Sequence, residues 1–230
     1  MKKLNIKYSL FGALTCILLA SCSKMNDPIA EYVKNGEIIY STRLDSLKAF
    51  PGNQKVKLTW LLPSNHSAVK SIAYWNGKAE SREITLTKGS SDKYEFVLDN
   101  LPEASYLFEI FTYDKNGHAS VKSEVSTVTY GERYRQGLLN RVYTKVSKVS
   151  GNFVINFALA DIAQVGMEIE YTNISGVKIV TPTAGSVNEV IITGIDFSKP
   201  IRYRTIYRPG NIAIDTFASD WTTDIDISKL

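Results

Sequence analysis

From Leu44 onward the chain alternates apolar and polar residues in short runs with a period of two. "KVKLTW" sets Val56, Leu58 and Trp60 on one side and Lys55, Lys57 and Thr59 on the other. "SIAYWN" groups Ile72 with Tyr74, and "YLFEIFTY" groups Tyr106, Phe108 and Ile110 opposite Glu109. Alternation of this kind marks strands with one buried face. Turn-forming stretches separate the runs: "PGNQ", "WNGK", "KGSSD" and "DKNG". No stretch of ten or more residues carries a helical period. Short strands punctuated by Gly, Asn and Asp predict an antiparallel β-sandwich.

The pattern then recurs. Phe153, Ile155 and Phe157 stand 97 positions after Val56, Leu58 and Trp60, and Ile169, Tyr171 and Asn173 follow Ile72, Tyr74 and Asn76 at the same distance. "IITGI", ending at Ile195, answers "VLDNL", ending at Leu101, after a net loss of three residues. A repeat near 100 residues is the size of one such sandwich. The expected organisation is therefore two tandem domains, 44–130 and 142–230, joined by a connection at 131–141. That joint lies in "YGERYRQGLLNR", which is polar without being rich in Gly or Ser, so a stiff, partly packed joint is expected.

Before the first strand the chain has a different character. Lys2, Lys3 and Lys7 precede an uncharged, largely apolar run from Tyr8 to Ala20. The run falls short of the roughly 20 apolar residues of a spanning helix and has the form of a secretory signal over residues 1–21. Leu19-Ala20-Ser21-Cys22 resembles the lipobox of bacterial lipoproteins. That resemblance implies cleavage before Cys22, lipidation of its thiol and acylation of the new amino terminus. Several acyl chains hold a protein stably on a membrane, with 22–43 as tether and lead-in. Localisation would then be the cell envelope, with the outer membrane expected.

The anchor changes how composition is read. The chain holds 27 basic and 23 acidic residues, but three lysines belong to the signal, which leaves 24 basic against 23 acidic. A nearly neutral remainder argues against nucleic-acid binding. Cys16 leaves with the signal and Cys22 carries lipid, so no disulfide is expected and the fold rests on its core.

"VKLTWLLP" resembles the second strand of fibronectin type III domains, and "LDNLPEASYLFEIFTYDKNGHAS" resembles the approach to their sixth strand, with Leu101 and Tyr106 in the tyrosine-corner role. In the second copy Phe157 takes the Trp position, with Ile201 or Tyr203 near the corner. Over most of the mature chain, beginning at "MNDPIAEYVKNGEIIYSTRLDSLKAFPGNQKVKLTWLLP", the sequence resembles a lipoprotein family of Bacteroidetes, domain of unknown function 4998. The resemblance implies an address and an architecture and assigns no chemistry. Relatives near polysaccharide-uptake systems make glycan contact an expectation.

Residues able to carry catalysis are sparse. His66 and His118 lie in loop-like segments at different points of the first repeat, and the second repeat has no histidine. No metal-ligand spacing is present, and both read as solvated loop residues, so neither metal nor cofactor is expected. No Gly-x-Ser-x-Gly elbow and no Gly-rich phosphate loop occur. Loop acids such as Asp99, Glu103 and Asp114, and Asp220, Asp224 and Asp226 near the end, show no convergence on a cleft. "DKNG" reads as a hairpin turn. The chain is not expected to be an enzyme.

Aromatic residues remain. Trp60 falls on the core face, while the alternation in "SIAYWN" points Trp75 outward. Phe111 and Tyr113 also fall on the outer side of a strand expected to neighbour that of Trp75. Trp75, Phe111 and Tyr113 are thus the candidate ligand-binding residues, an aromatic patch suited to a polysaccharide or an envelope protein. The competing reading is a structural spacer or assembly component. Trp221 reads as a closing core residue, and "IRYRTIYR" puts Arg202, Arg204 and Arg208 on one side. Asp45-Ser46-Leu47 resembles the O-glycosylation motif of Bacteroidetes, which makes Ser46 a candidate acceptor.

Overall fold

The computed structural model describes residues 39–87 and 92–230. The signal segment and Cys22 lie outside the described residues. Ser41–Leu230 form one compact unit.

The first repeat folds into two antiparallel sheets. Strands β1 (Asp45–Pro51), β2 (Lys55–Leu61) and β5 (Lys93–Asp99) form one, in the order β1-β2-β5. Strands β3 (Ala68–Trp75), β4 (Glu80–Thr85), β6 (Ser105–Asp114) and β7 (Ser123–Val128) form the other, in the order β4-β3-β6-β7. Val56, Leu58 and Trp60 turn inward as their alternation requires, with at most 1% of their surface exposed. Tyr106, Phe108 and Ile110 meet them from β6. The Tyr106 hydroxyl donates to the Pro102 carbonyl at 2.9 Å, so the corner closes four residues upstream.

The second repeat has the same wiring. β8 (Tyr143–Val149), β9 (Asn152–Phe157) and β12 (Glu189–Ile192) pair in the order β12-β9-β8. β10 (Gln164–Thr172), β11 (Lys178–Ala184), β13 (Arg202–Tyr207) and β14 (Phe217–Ala218) pair as β11-β10-β13-β14. Phe153, Ile155, Phe157, Met167, Ile169 and Tyr203 fill its core. These are two tandem sandwiches of the fibronectin type III kind.

One register detail overturns a sequence expectation. β3 carries a bulge against β6 between Ala68 and Lys70, and β10 carries one against β13 between Gln164 and Gly166. These bulges are 96 positions apart. The second strands repeat at 97, since Val56 pairs with Leu98 and Phe153 with Ile192. The connection between the second and third strands is thus one residue shorter in the second copy. Ile169 corresponds to Ala73, not to Ile72, and a slip of one residue exchanges the faces of a strand. In β3 it is Ser71, Ala73 and Trp75 that turn inward, while Ile72 and Tyr74 face out.

Helix α1 (Glu132–Gln136) lies in the connection between the sandwiches. The Glu103 carboxylate accepts the amides of Arg133 and Tyr134, each at 2.9 Å. Rings of Tyr130, Tyr134 and Phe217 pack edge to face, with centroids 4.9, 5.1 and 6.2 Å apart. The loop before β14 reaches the β1–β2 turn: the Ile214 amide donates to the Pro51 carbonyl at 2.9 Å. Asp215 accepts the Asn53 amide at 2.7 Å and pairs with Lys55 at 3.1 Å. A side chain on Gly52 would begin 2.5 Å from an Asp215 oxygen and 2.9 Å from an Ile214 side-chain carbon, so adding one would displace this contact.

Candidate functional site

The outer face of β4-β3-β6-β7 gathers the aromatic residues. Ile72 stands opposite Phe111, Lys70 opposite Tyr113 and Tyr74 opposite Glu109. The Tyr74 and Phe111 rings cross at 79° with centroids 6.0 Å apart. Burial, with help from neighbouring Tyr74, pushes the Tyr113 phenol up to about 12. All four aromatic and aliphatic side chains are half-buried. Ser81, Glu83 and Thr85 from β4 flank them on one side, and Glu124 and Ser126 from β7 on the other.

Cations and acids fix this surface. Lys78 lies over the Phe111 ring, 5.1 Å from its centroid, and pairs with Glu109 at 3.4 Å. Lys122 bridges Glu109 at 2.9 Å and Glu124 at 2.8 Å. Lys70 pairs with Glu83 at 2.8 Å and lies 5.9 Å from the Tyr113 centroid. Lys78 comes from the β3–β4 turn, where Asn76, Gly77 and Lys78 all have positive φ, at 52°, 63° and 69°. Asn and Gly enter that region readily, whereas for Lys it carries strain. Asn76 holds the turn by donating its amide to Glu80 at 3.1 Å. Tyr74, Lys78, Leu107 and Glu109 then border a groove of about 470 Å³ at the end of the face.

The Lys122 hydrogen bond, followed by that of Lys78, holds the Glu109 carboxyl below its ordinary range. A depressed carboxylate stabilises the fold above its unfolded value, and that contribution is lost as pH falls through the folded value. Acid titration of stability is therefore expected to be shallower in Glu109→Gln than in the parent below pH ~4.5. Identical acid profiles would contradict the ion-paired arrangement.

Phe111 and Tyr113 lie where the alternation puts them. Trp75 does not: it is only 9% exposed and packs against Phe108 at 6.0 Å. Tyr74 occupies the outward place instead. Its signal was present in the sequence, but strand phase alone decides which of two adjacent aromatic residues faces out, and the bulge sets that phase. Lys70, Lys78 and Glu109 join the patch through cross-strand register and the β3–β4 turn, which the alternation of the sequence does not mark.

His66 is not solvated: it is 3% exposed, and its Nε2 lies 2.9 Å from the Tyr94 hydroxyl, beside a Trp60–Tyr94 stack. His118 sits partly exposed in the hairpin turn, its Nδ1 2.8 Å from Asp114. Trp221 is not a core residue; it lies half-exposed with the guanidinium groups of Arg202 and Arg204 at 5.0 and 4.6 Å from its ring. Those arginines pair in turn with Glu170 and Glu168. Ser46 is exposed at an irregularity of β1, its amide donating to the Asp45 carboxylate at 2.6 Å. Among the described residues no group of three or more His, Cys, Asp or Glu is arranged to hold a metal, and no helix is long and apolar enough to cross a membrane.

A family model, that of the domain of unknown function DUF4998, matches residues 22–217. The chain belongs to this family. No curated protein matches this DUF4998 member. Among solved structures, it is similar to the FN1–FN3 domains of chicken CNTN1, at 16% identity and a TM-score of 0.44. That match spans 81% of this chain and 64% of the other. A two-domain fibronectin type III segment of chicken tenascin matches at 13% identity and a TM-score of 0.33, over 80% and 98% of the two chains.

Proposed function

We propose that this chain is a non-catalytic binding module of the cell envelope, with the outer face of β4-β3-β6-β7 as its ligand surface. The observation that carries this reading is the gathering of Tyr74, Phe111 and Tyr113 on the two central strands, steadied by the Lys70, Lys78 and Lys122 ion pairs. A glycan is the first ligand class, because ring faces take the apolar side of a sugar while lysine and glutamate meet its hydroxyls. Affinity electrophoresis through gels containing a panel of polysaccharides tests it. Retardation by one polysaccharide, abolished in Phe111→Ala and Tyr74→Ala, is the expected result. Absence of retardation, or equal retardation of the variants, rules the glycan reading out.

A protein ligand is the second reading. Apolar side chains at the centre with a rim of Ser81, Glu83, Thr85, Glu124 and Ser126 match the layout of protein interfaces, and Lys78 already covers the Phe111 ring. Anchoring through Cys22 belongs to the same proposal. Cys22→Ser is expected to move the protein from the membrane to the soluble fraction, and unchanged fractionation would refute the tether.

A further inference from the structure

Where the sandwiches join, a shallow cleft of about 690 Å³, largely open to solvent, lies between the end of β7 and α1. Val128, Tyr130, Tyr134 and Leu138 supply its apolar wall. Concave joints between domains are common places for small ligands. This cleft is preformed. The Glu103 carboxylate, the one acid lining it, is engaged by the two α1 amides, and the Tyr130–Tyr134–Phe217 rings lock the wall. Its donors are not engaged: the Arg133 guanidinium and the hydroxyls of Tyr130 and Tyr134 have no hydrogen-bond acceptor among the described residues. An apolar wall with a free cation and two free phenol donors is complementary to an apolar body that ends in an anion.

We propose that this joint cleft binds an apolar carboxylate, its hydrocarbon part against Val128, Tyr134 and Leu138 and its carboxylate on Arg133. The site is separate from the aromatic sheet face and stands independently of the ligand bound there. The carboxylate belongs either to a free acid or to the C-terminal residue of a peptide.

Calorimetric titration of the full chain with 4-phenylbutyrate and with its neutral analogue 4-phenylbutan-1-ol tests the assignment. The acid is expected to bind about tenfold more tightly than the alcohol, the scale of one charge-assisted hydrogen bond. Arg133→Gln, an exposed position, is expected to erase that preference and leave the alcohol's affinity as it was, whereas Leu138→Ser weakens both ligands. A third titrant, N-acetyl-Leu-Phe, separates the sources: tighter binding than the free acid assigns a peptide terminus, weaker binding assigns a small molecule. Absence of binding by acid and peptide alike, equal affinity for acid and alcohol, or a preference that survives Arg133→Gln overturns the proposal.

Discussion

Arg141→Met is expected to unfold the second sandwich at far lower urea than the parent requires, with a loss of about 3–5 kcal/mol. Arg141 is 2% exposed and has no carboxylate partner among the described residues. Its guanidinium donates instead to the carbonyls of Ala158, Gly185 and Val187 at 2.7, 3.0 and 2.9 Å, and to the Asn188 side chain. Burial pushes its pKa down from the ordinary arginine value, yet the carbonyl cage supplies the negative ends that a buried cation needs. Its amide donates to the Thr205 hydroxyl and its carbonyl accepts the Tyr203 hydroxyl, so one residue ties the chain's entry into the sandwich to two loops and strand β13. Methionine keeps much of the volume but removes the donors of the buried Gly185 carbonyl and of the half-buried Ala158 and Val187 carbonyls, and a buried acceptor left unpaired costs about 1–3 kcal/mol. Arg141→Lys restores the charge but not the planar fork, and recovers only part of the loss. Trp221 fluorescence reports on this sandwich, and Trp60 and Trp75 on the first. A midpoint for Arg141→Met within a few tenths of a kcal/mol of the parent would show that the cage contributes nothing.

Trp75→Ala is expected to cost the first sandwich about 3–5 kcal/mol, the range for removing a large ring from a packed core. Tyr74→Ala, one position away, is expected to cost about 1 kcal/mol or less while removing ligand binding. The indole nitrogen of Trp75 is buried without a hydrogen-bond partner among the described residues, so Trp75→Phe is expected to cost far less than the alanine change. Paired urea titrations of the three variants measure this contrast directly. The opposite order, with Trp75→Ala benign and Tyr74→Ala severe, would restore the outward placement of Trp75 and overturn the register described above.

That reversal of faces separates what was legible in the sequence from what was not. The two-residue period of Val56, Leu58 and Trp60 is long and clean, so strand and buried face follow from it without further information. The same holds for Phe153, Ile155 and Phe157, and their recurrence at 97 positions makes the second sandwich visible despite its weaker motifs. Phe111 and Tyr113 sit in a ten-residue strand whose alternation is unbroken, and they too were legible.

Four outcomes were decided only by tertiary structure. Strand β3 offers apolar side chains on both faces, so its phase depends on the bulge at Ala68–Lys70, which a period cannot reveal. His66 is drawn inside because Tyr94, 28 residues away, supplies its partner. Trp221 stays half-exposed, with the guanidinium groups of Arg202 and Arg204 from β13 lying over its ring. Arg141, a charged residue beside an expected joint, becomes a buried clamp because three carbonyls from distant loops converge on it. Local alternation reports which residues avoid water; strand phase, and the partner that lets a polar group be buried, come from contacts far along the chain.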